Sequence, residues 1–178
     1  MSKSTVANRY AQALYELAQQ HGEVAVVEED LRVVREVFKH NPEFTLLLQS
    51  PKLTKTQKNQ LIQQTFSGAS VYVVNALSIL IDRRRETEVV PMADSFIELA
   101  LNMRGTAIAH VYSATKLTEK DQEALSQKFA AQVGKQSLII NNIVDSSLLG
   151  GLRVRIGNRI FDGTIRSKLQ RLERELKR

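Results

Sequence analysis

Residues able to do acid–base, nucleophilic or metal chemistry are few in this chain, and their spacing is poor. The three histidines, His21, His40 and His110, stand far apart. None has a His or carboxylate partner at a ligand spacing such as H-E-x-x-H, so they read as ordinary surface or cap histidines. Gly150, Gly151 and Gly157 cluster, but no Lys-Ser/Thr follows them. They suit turns and bulges better than a phosphate cradle. Ser146-Ser147 lacks the G-x-S-x-G frame of a nucleophile elbow. There are no cysteines, which removes disulfides, thiol catalysis, iron–sulfur clusters and thiolate zinc sites together. Neither catalysis nor a cofactor or metal is expected.

What the chain offers instead is apolar stripes and a local excess of positive charge. Its 178 residues are 43% hydrophobic and 25% charged, the composition of a folded chain with room for one domain or two small ones. No apolar run approaches the roughly 20 residues that cross a bilayer. Met1 to Ala7 has neither a signal-peptide nor a transit-peptide pattern, so direct membrane insertion and export are not expected. The net charge of +6 is concentrated at one end. Residues 152–178 hold Arg153, Arg155, Arg159, Arg166, Lys168, Arg171, Arg174, Lys177 and Arg178 against Asp162, Glu173 and Glu175. That difference accounts for the whole excess.

Periodicity supplies the elements that must carry these residues. Val6, Tyr10, Ala13, Leu14 and Leu17 recur at helical spacing before a stop at Gly22. Val27, Leu31, Val34 and Phe38 form a stripe over Glu23 to His40, flanked by Val26, Val33 and Val37, which predicts a helix central to a bundle. Asn41-Pro42 opens a short helix closed by Ser50-Pro51. Thr54 with Gln57 predicts a capping box, Val71 to Ile81 an apolar helix, and Val89 to Met103 an amphipathic one. After Gly105 the period changes. Thr106 to Ser113 alternates as a strand, Thr118 caps a helix over Asp121 to Val133, and Leu138 to Val144 is strand-like. Leu152, Val154 and Ile156 alternate with Arg153 and Arg155, and Gly157-Asn158 predicts a hairpin to Arg159–Phe161. Ile165, Leu169, Leu172 and Leu176 draw a narrow seam on a charged final helix. The reading is mostly α: a six-helix bundle over residues 1–105, then a small α/β (α+β) domain over residues 106–178.

Two features admit more than one use. Tyr10, Ala13 and Leu14, with Val71, Val74, Asn75 and Ile79, could fill the bundle's own core or line a groove for a partner's amphipathic helix. The basic end could be a solvated face or a phosphate-binding one, the latter making the chain a nucleic-acid-binding adaptor using Arg153, Arg155, Arg159, Arg166 and Arg171. Only Phe161 offers a stacking ring there, and Glu173 and Glu175 interrupt the basic helix, which counts against nucleic acid.

The stretch VDSSLLGGLRVRIGNRIFDGTIRSKL, residues 144–169, closely resembles the C-terminal signature of the delta subunit of bacterial F-type ATP synthases, the counterpart of the mitochondrial oligomycin-sensitivity-conferring protein. Asp145, Gly150, Gly151, Arg155, Gly157, Asp162, Gly163, Arg166 and Leu169 are its landmarks. ANRYAQALY at residues 7–15 and DRRRE at residues 82–86 are similar to further parts of that family, so the likeness spans the chain. It implies a non-catalytic stator subunit that links the catalytic head to the peripheral stalk and resists rotor torque during ion-gradient-driven ATP synthesis. Tyr10, Ala13 and Leu14 would line one side of a groove for the N-terminal helix of an alpha subunit, with Asn75, Ile79 and Arg83 on the other. The C-terminal domain would hold the ends of the b subunits. The implied location is peripheral, on the cytoplasmic face of the bacterial cell membrane, without nucleic acid.

Overall fold

The computed structural model describes residues 4–176; Met1 to Lys3, and the basic residues Lys177 and Arg178, lie outside the described residues. The chain forms two compact units, one running to Ala100 and the other beginning at Leu101, a little before the change of period at Gly105.

The first unit consists of α1 (Thr5–Gln20), α2 (Val24–His40), α3 (Pro42–Gln49), α4 (Lys55–Thr65), α5 (Val71–Asp82) and most of α6 (Val89–Met103), with a 3-10 turn over Glu86–Glu88. Its helix starts are chemical. The Ser4 hydroxyl accepts from Ala7 N–H at 3.3 Å. Thr54 and Gln57 form the reciprocal capping box. Pro42 sits in the first turn of α3, where its missing N–H costs nothing. The stops of α1 and α5 share one device. Beyond α1, Gly22 (φ 71°) turns left-handed while Glu23 N–H reaches Ala18 O at 2.9 Å. Beyond α5 the matching pair of hydrogen bonds, Arg84 N–H to Ile81 O at 2.9 Å and Arg85 N–H to Leu80 O at 2.8 Å, closes on Arg84, a non-glycine residue held at φ 55°.

The core of this unit gathers Ala7, Leu14, Leu31, Leu48, Leu77 and Phe96 from five helices. Phe38, Phe44 and Phe66 close one end, with ring centroids 5.3 to 6.4 Å apart. Lys58 and Glu86 form a buried ion pair at 3.7 Å that ties α4 to the 3-10 turn. α2 differs from its predicted wide burial. Its stripe Val27, Leu31, Val34 and Phe38 is inside, but Val26 and Val33 are about half exposed.

The second unit holds β1 (Thr106–Ser113), α7 (Glu119–Gln132), β2 (Ser137–Val144), β3 (Leu152–Ile156), β4 (Arg159–Asp162) and α8 (Ile165–Leu176). Its sheet has the order β2-β1-β3-β4. β1 is central, parallel to β2 and antiparallel to β3, which pairs antiparallel with β4. The parallel pair needs a crossover, and α7 supplies it. Ala107, Ala109, Val111, Leu138, Val154 and Ile156 point to one face, where they pack with Ala130 of α7. Alternation therefore sends Ile108, His110, Tyr112, Arg153 and Arg155 to the other face. Asn142 ties the interior: its carbonyl accepts from Leu117 N–H at 2.9 Å, and its amide donates to Val111 O and to the buried Ser113 hydroxyl. Among the described residues, no helix is long and apolar enough to cross a membrane.

Candidate docking surfaces

Helix geometry sorts the predicted groove residues. α1 points Ala7, Ala11, Leu14 and Ala18 into the core, so Leu14, 5% exposed, belongs to the bundle interior. On one flank, Asn8 accepts from the Ser95 hydroxyl at 2.8 Å and Tyr15 lies 5.7 Å from Phe96, so this flank faces α6. On the other, Tyr10 OH accepts from Arg85 at 3.5 Å and the His21 ring stacks on Tyr72 at 5.2 Å. Since Arg85 follows α5 and Tyr72 begins it, α1 and α5 run antiparallel side by side.

The flank of α1 that meets α5 continues outward through Tyr10, Ala13 and Leu17, spaced three and four residues apart. Ala13 and Leu17 are exposed, Leu17 by 38%. On α5, Val73, Leu77 and Leu80 turn inward. The flank bearing Tyr72, and so turned toward α1, continues through Ala76, Ile79 and Arg83, with Asn75 farther out. Ile79 is 47% exposed, and Asn75 and Arg83 are open to solvent. Five of the six predicted residues thus border one open strip between antiparallel helices; Leu14 lies beneath it. Leu17 and Ala76 complete the strip and are missing from the predicted set. Leu17 carries the right signal in its spacing from Tyr10 and Ala13. Val71 is 62% exposed but sits on the side of α5 turned away from α1.

In the second unit the signature residues build a clasp that starts α8. Gly163 N–H donates to Leu152 O at 2.9 Å, and Ile165 N–H to Gly150 O at 3.1 Å. Two backbone segments therefore touch. At Gly151 (φ 80°) an added Cβ would stand 2.5 Å from Gly163 O and 2.9 Å from Thr164 Cα. Asp162 accepts from Thr164 N–H at 2.9 Å and from its hydroxyl at 2.7 Å, while Thr164 caps Ser167 N–H. Asp145 accepts from the Ser147 hydroxyl at 2.6 Å and its N–H at 3.0 Å. Arg153 stands 3.7 Å from Asp145 with its guanidinium 4.7 Å over the Tyr112 ring.

These contacts hold both carboxyls below the usual carboxylate range. The largest cause is the Ser147 hydroxyl for Asp145 and the Thr164 N–H for Asp162, with Arg153 adding to each. Gly157 (φ 56°) turns the β3–β4 hairpin, and Arg155 Nε reaches its carbonyl at 3.4 Å. Arg166 and Leu169 lie on the open side of α8.

That helix has no buried residue. Its seam runs from 44% exposure at Ile165 through Leu169 and Leu172 to 88% at Leu176, with Arg166, Arg171 and Arg174 on the same helix. An open cleft of about 730 Å³ lies between its first turns and the Asp145–Leu149 loop. No group of three or more His, Cys, Asp or Glu side chains able to hold a metal occurs among the described residues.

A six-helix bundle followed by a four-stranded α/β unit, each with apolar side chains left outside its own core, defines the class of fold. The chain belongs to the ATP synthase delta (OSCP) subunit family, whose model matches residues 6–176. It is 45% identical over 178 residues, all of both chains, to the ATP synthase subunit delta of Anoxybacillus flavithermus. It is 44% identical to that of Lysinibacillus sphaericus, covering 99% of each chain, and 44% identical to that of Bacillus subtilis, covering 99% of this chain and 97% of the other. Among solved structures, a chain of the Toxoplasma gondii mitochondrial ATP synthase hexamer has the same fold, with a TM-score of 0.81 at 21% identity over 98% of this chain and 99% of that one.

Proposed function

We propose that this chain is the non-catalytic stator connector of an F-type ATP synthase, joining the catalytic head to the peripheral stalk so that the head does not turn with the rotor. The observation that carries the proposal is the open strip between α1 and α5, in a chain that belongs to the delta family over residues 6–176. Tyr10, Ala13 and Leu17 on one helix and Ile79 on its antiparallel neighbour leave apolar surface in water, and Asn75 and Arg83 give it a polar rim. An amphipathic helix laid between them removes that surface from water at about 25 cal/mol per Å². The occupant in this reading is the N-terminal helix of an alpha subunit.

The second unit takes the C-terminal ends of the b subunits. Its exposed leucine seam supplies adhesion and its arginines steer acidic helices toward it. Torque resistance needs joints that are both tight and stiff. Interfaces on the order of 1,200–2,000 Å² achieve this when central anchors pack well. The rings near the basic end are already engaged: Phe161 packs on Phe129 at 5.1 Å and Tyr112 lies under Arg153. That favours a protein partner over stacked bases. In this role the chain is a peripheral component at the cytoplasmic face of the cell membrane.

The test is Ala13→Arg. Ala13 is outside the core, so the bundle keeps its melting temperature while a calorimetric titration with an alpha N-terminal peptide loses its heat signal. Unchanged peptide affinity would reject the groove.

A further inference from the structure

The seam of α8 lies outside the second unit's core, and the charges beside it are ordered. Ile165, Leu169, Leu172 and Leu176 follow one another at four, three and four residues, the spacing of the apolar positions of a two-stranded coiled coil. Ile165 lies against the backbone at Gly150, where an added Cβ would stand 2.8 Å from its Cδ1, so the seam starts on the body of the unit. From there it runs outward past the cleft lined by Leu148, Leu149 and Leu169. Leu169, Leu172 and Leu176 are each more than half exposed.

Helical spacing sets four charged residues directly beside this seam among the described residues. Arg166 and Glu173, seven residues apart, flank it on one side, and Lys168 and Glu175, also seven apart, flank it on the other. Each flank is therefore basic near the body of the unit and acidic toward Leu176. The four charges cancel. The surplus positive charge of α8 belongs to Arg171 and Arg174, which are turned away from the seam, and Arg174 Nε folds back onto Gln170 O at 3.3 Å. A helix laid along the seam meets a basic pair and then an acidic pair, not a uniformly positive surface.

We propose that the partner helix of α8 carries the complementary charge order: acidic residues beside its own apolar seam where it crosses Arg166 and Lys168, and basic residues where it crosses Glu173 and Glu175. This inference rests on the reading that the second unit holds the C-terminal end of a b subunit, and it names the chemistry of the segment held. Charge complementarity selects such a helix. A uniformly acidic helix would set like charges against Glu173 and Glu175, and a phosphate chain would meet the same two carboxylates. Charges flanking a coiled-coil seam fix partner choice and orientation more than affinity. A seam of four apolar residues is short, and leucines alone would let the partner slip along it. A slip of one heptad would bring the partner's acidic residues against Glu173 and Glu175, so the charge order locks the register that a joint under torque requires.

Calorimetric titration of the full chain with a soluble fragment holding the C-terminal end of a b subunit tests this through two single reversals, Lys168→Glu and Glu175→Lys. Both sites are exposed, so the chain keeps its melting temperature. Each reversal is expected to weaken the fragment about threefold to tenfold, because one opposite-charge contact is lost and one like-charge contact appears. Glu175→Lys is the discriminating variant, since it raises the positive charge of the helix. Attraction by net charge alone would make it tighten the fragment. Tighter or unchanged binding with Glu175→Lys would overturn the proposal, and so would unchanged binding with Lys168→Glu. A heat of dilution of the chain alone that Glu175→Lys abolishes would point to a second copy on α8 and overturn the assignment to a b subunit. A fragment that the unaltered chain does not hold, or that Leu169→Asp captures undiminished, would overturn the reading of the b-subunit joint itself, and the charge order with it. None of these outcomes bears on the α1–α5 strip, which Ala13→Arg tests separately.

Discussion

Single residues carry unequal weight, and the geometry says which. At Gly151 a side chain would collide with the backbone of Gly163 and Thr164, so Gly151→Ala costs about 3 kcal/mol or more, read in denaturant melts. Gly157 is also left-handed (φ 56°), but nothing lies within 4 Å of its missing Cβ. Gly157→Ala therefore costs only the conformational penalty of about 1 kcal/mol. Arg84 is the reverse case. It occupies the position after α5 that Gly22 occupies after α1, and Arg84→Gly is expected to stabilise the bundle by about 0.5–1 kcal/mol in the same measurement. The sequence shows DRRRE as a charged run but not its left-handed turn, because the two hydrogen bonds that close on it, from Arg84 N–H to Ile81 O and from Arg85 N–H to Leu80 O, are a property of the finished helix end. Leu14 and Ala13 are likewise adjacent in the helical pattern. Only the packing of α1 against its neighbours, α2 and α5 foremost, decides that Leu14 goes inside and Ala13 stays out.

Among elements, those with local causes are the most legible. The Thr54–Gln57 and Thr118–Asp121 capping boxes, Pro42 and the Gly157 turn depend on residues a few positions apart, and they fall where the sequence puts them. What covers an apolar stripe depends on distant residues. α2 buries its central stripe yet leaves Val26 and Val33 out, and α8 leaves its whole seam out, although its period is as clear as that of a core helix. Since no residue of α8 is buried, Leu169→Asp leaves thermal stability within about 0.5 kcal/mol while weakening capture of a fragment from the C-terminal end of a b subunit.

The second unit should also be acid-sensitive. Asp121, Asp145 and Asp162 are all held below the ordinary carboxylate range, by the Thr118 hydroxyl, the Ser147 hydroxyl and the Thr164 N–H respectively. A lowered native pKa contributes stability that is complete above the unfolded value, near 4, and is lost as pH falls through the lowered one. Circular dichroism melts are expected to be flat above about pH 5 and to decline below about pH 4. Asp145→Asn and Asp162→Asn, which still accept hydrogen bonds, should make that decline shallower.

At the scale of the whole molecule, the proposed role divides the labour between two units with different physics. The α1–α5 strip is largely apolar, and residues 152–178 carry the excess positive charge. Raising salt from low to physiological strength should leave the first joint nearly unchanged and weaken the second, since exposed charges are screened over about 8–10 Å. The measurement closest to the central claim is a sedimentation experiment on the full chain with two partners present together: an alpha N-terminal peptide and a soluble fragment holding the C-terminal end of a b subunit. The prediction is a ternary species in which Ala13→Arg removes only the peptide and Leu169→Asp weakens only the fragment. Mutual displacement of the two partners, or loss of both from either substitution, would contradict the claim that this chain is a bridge.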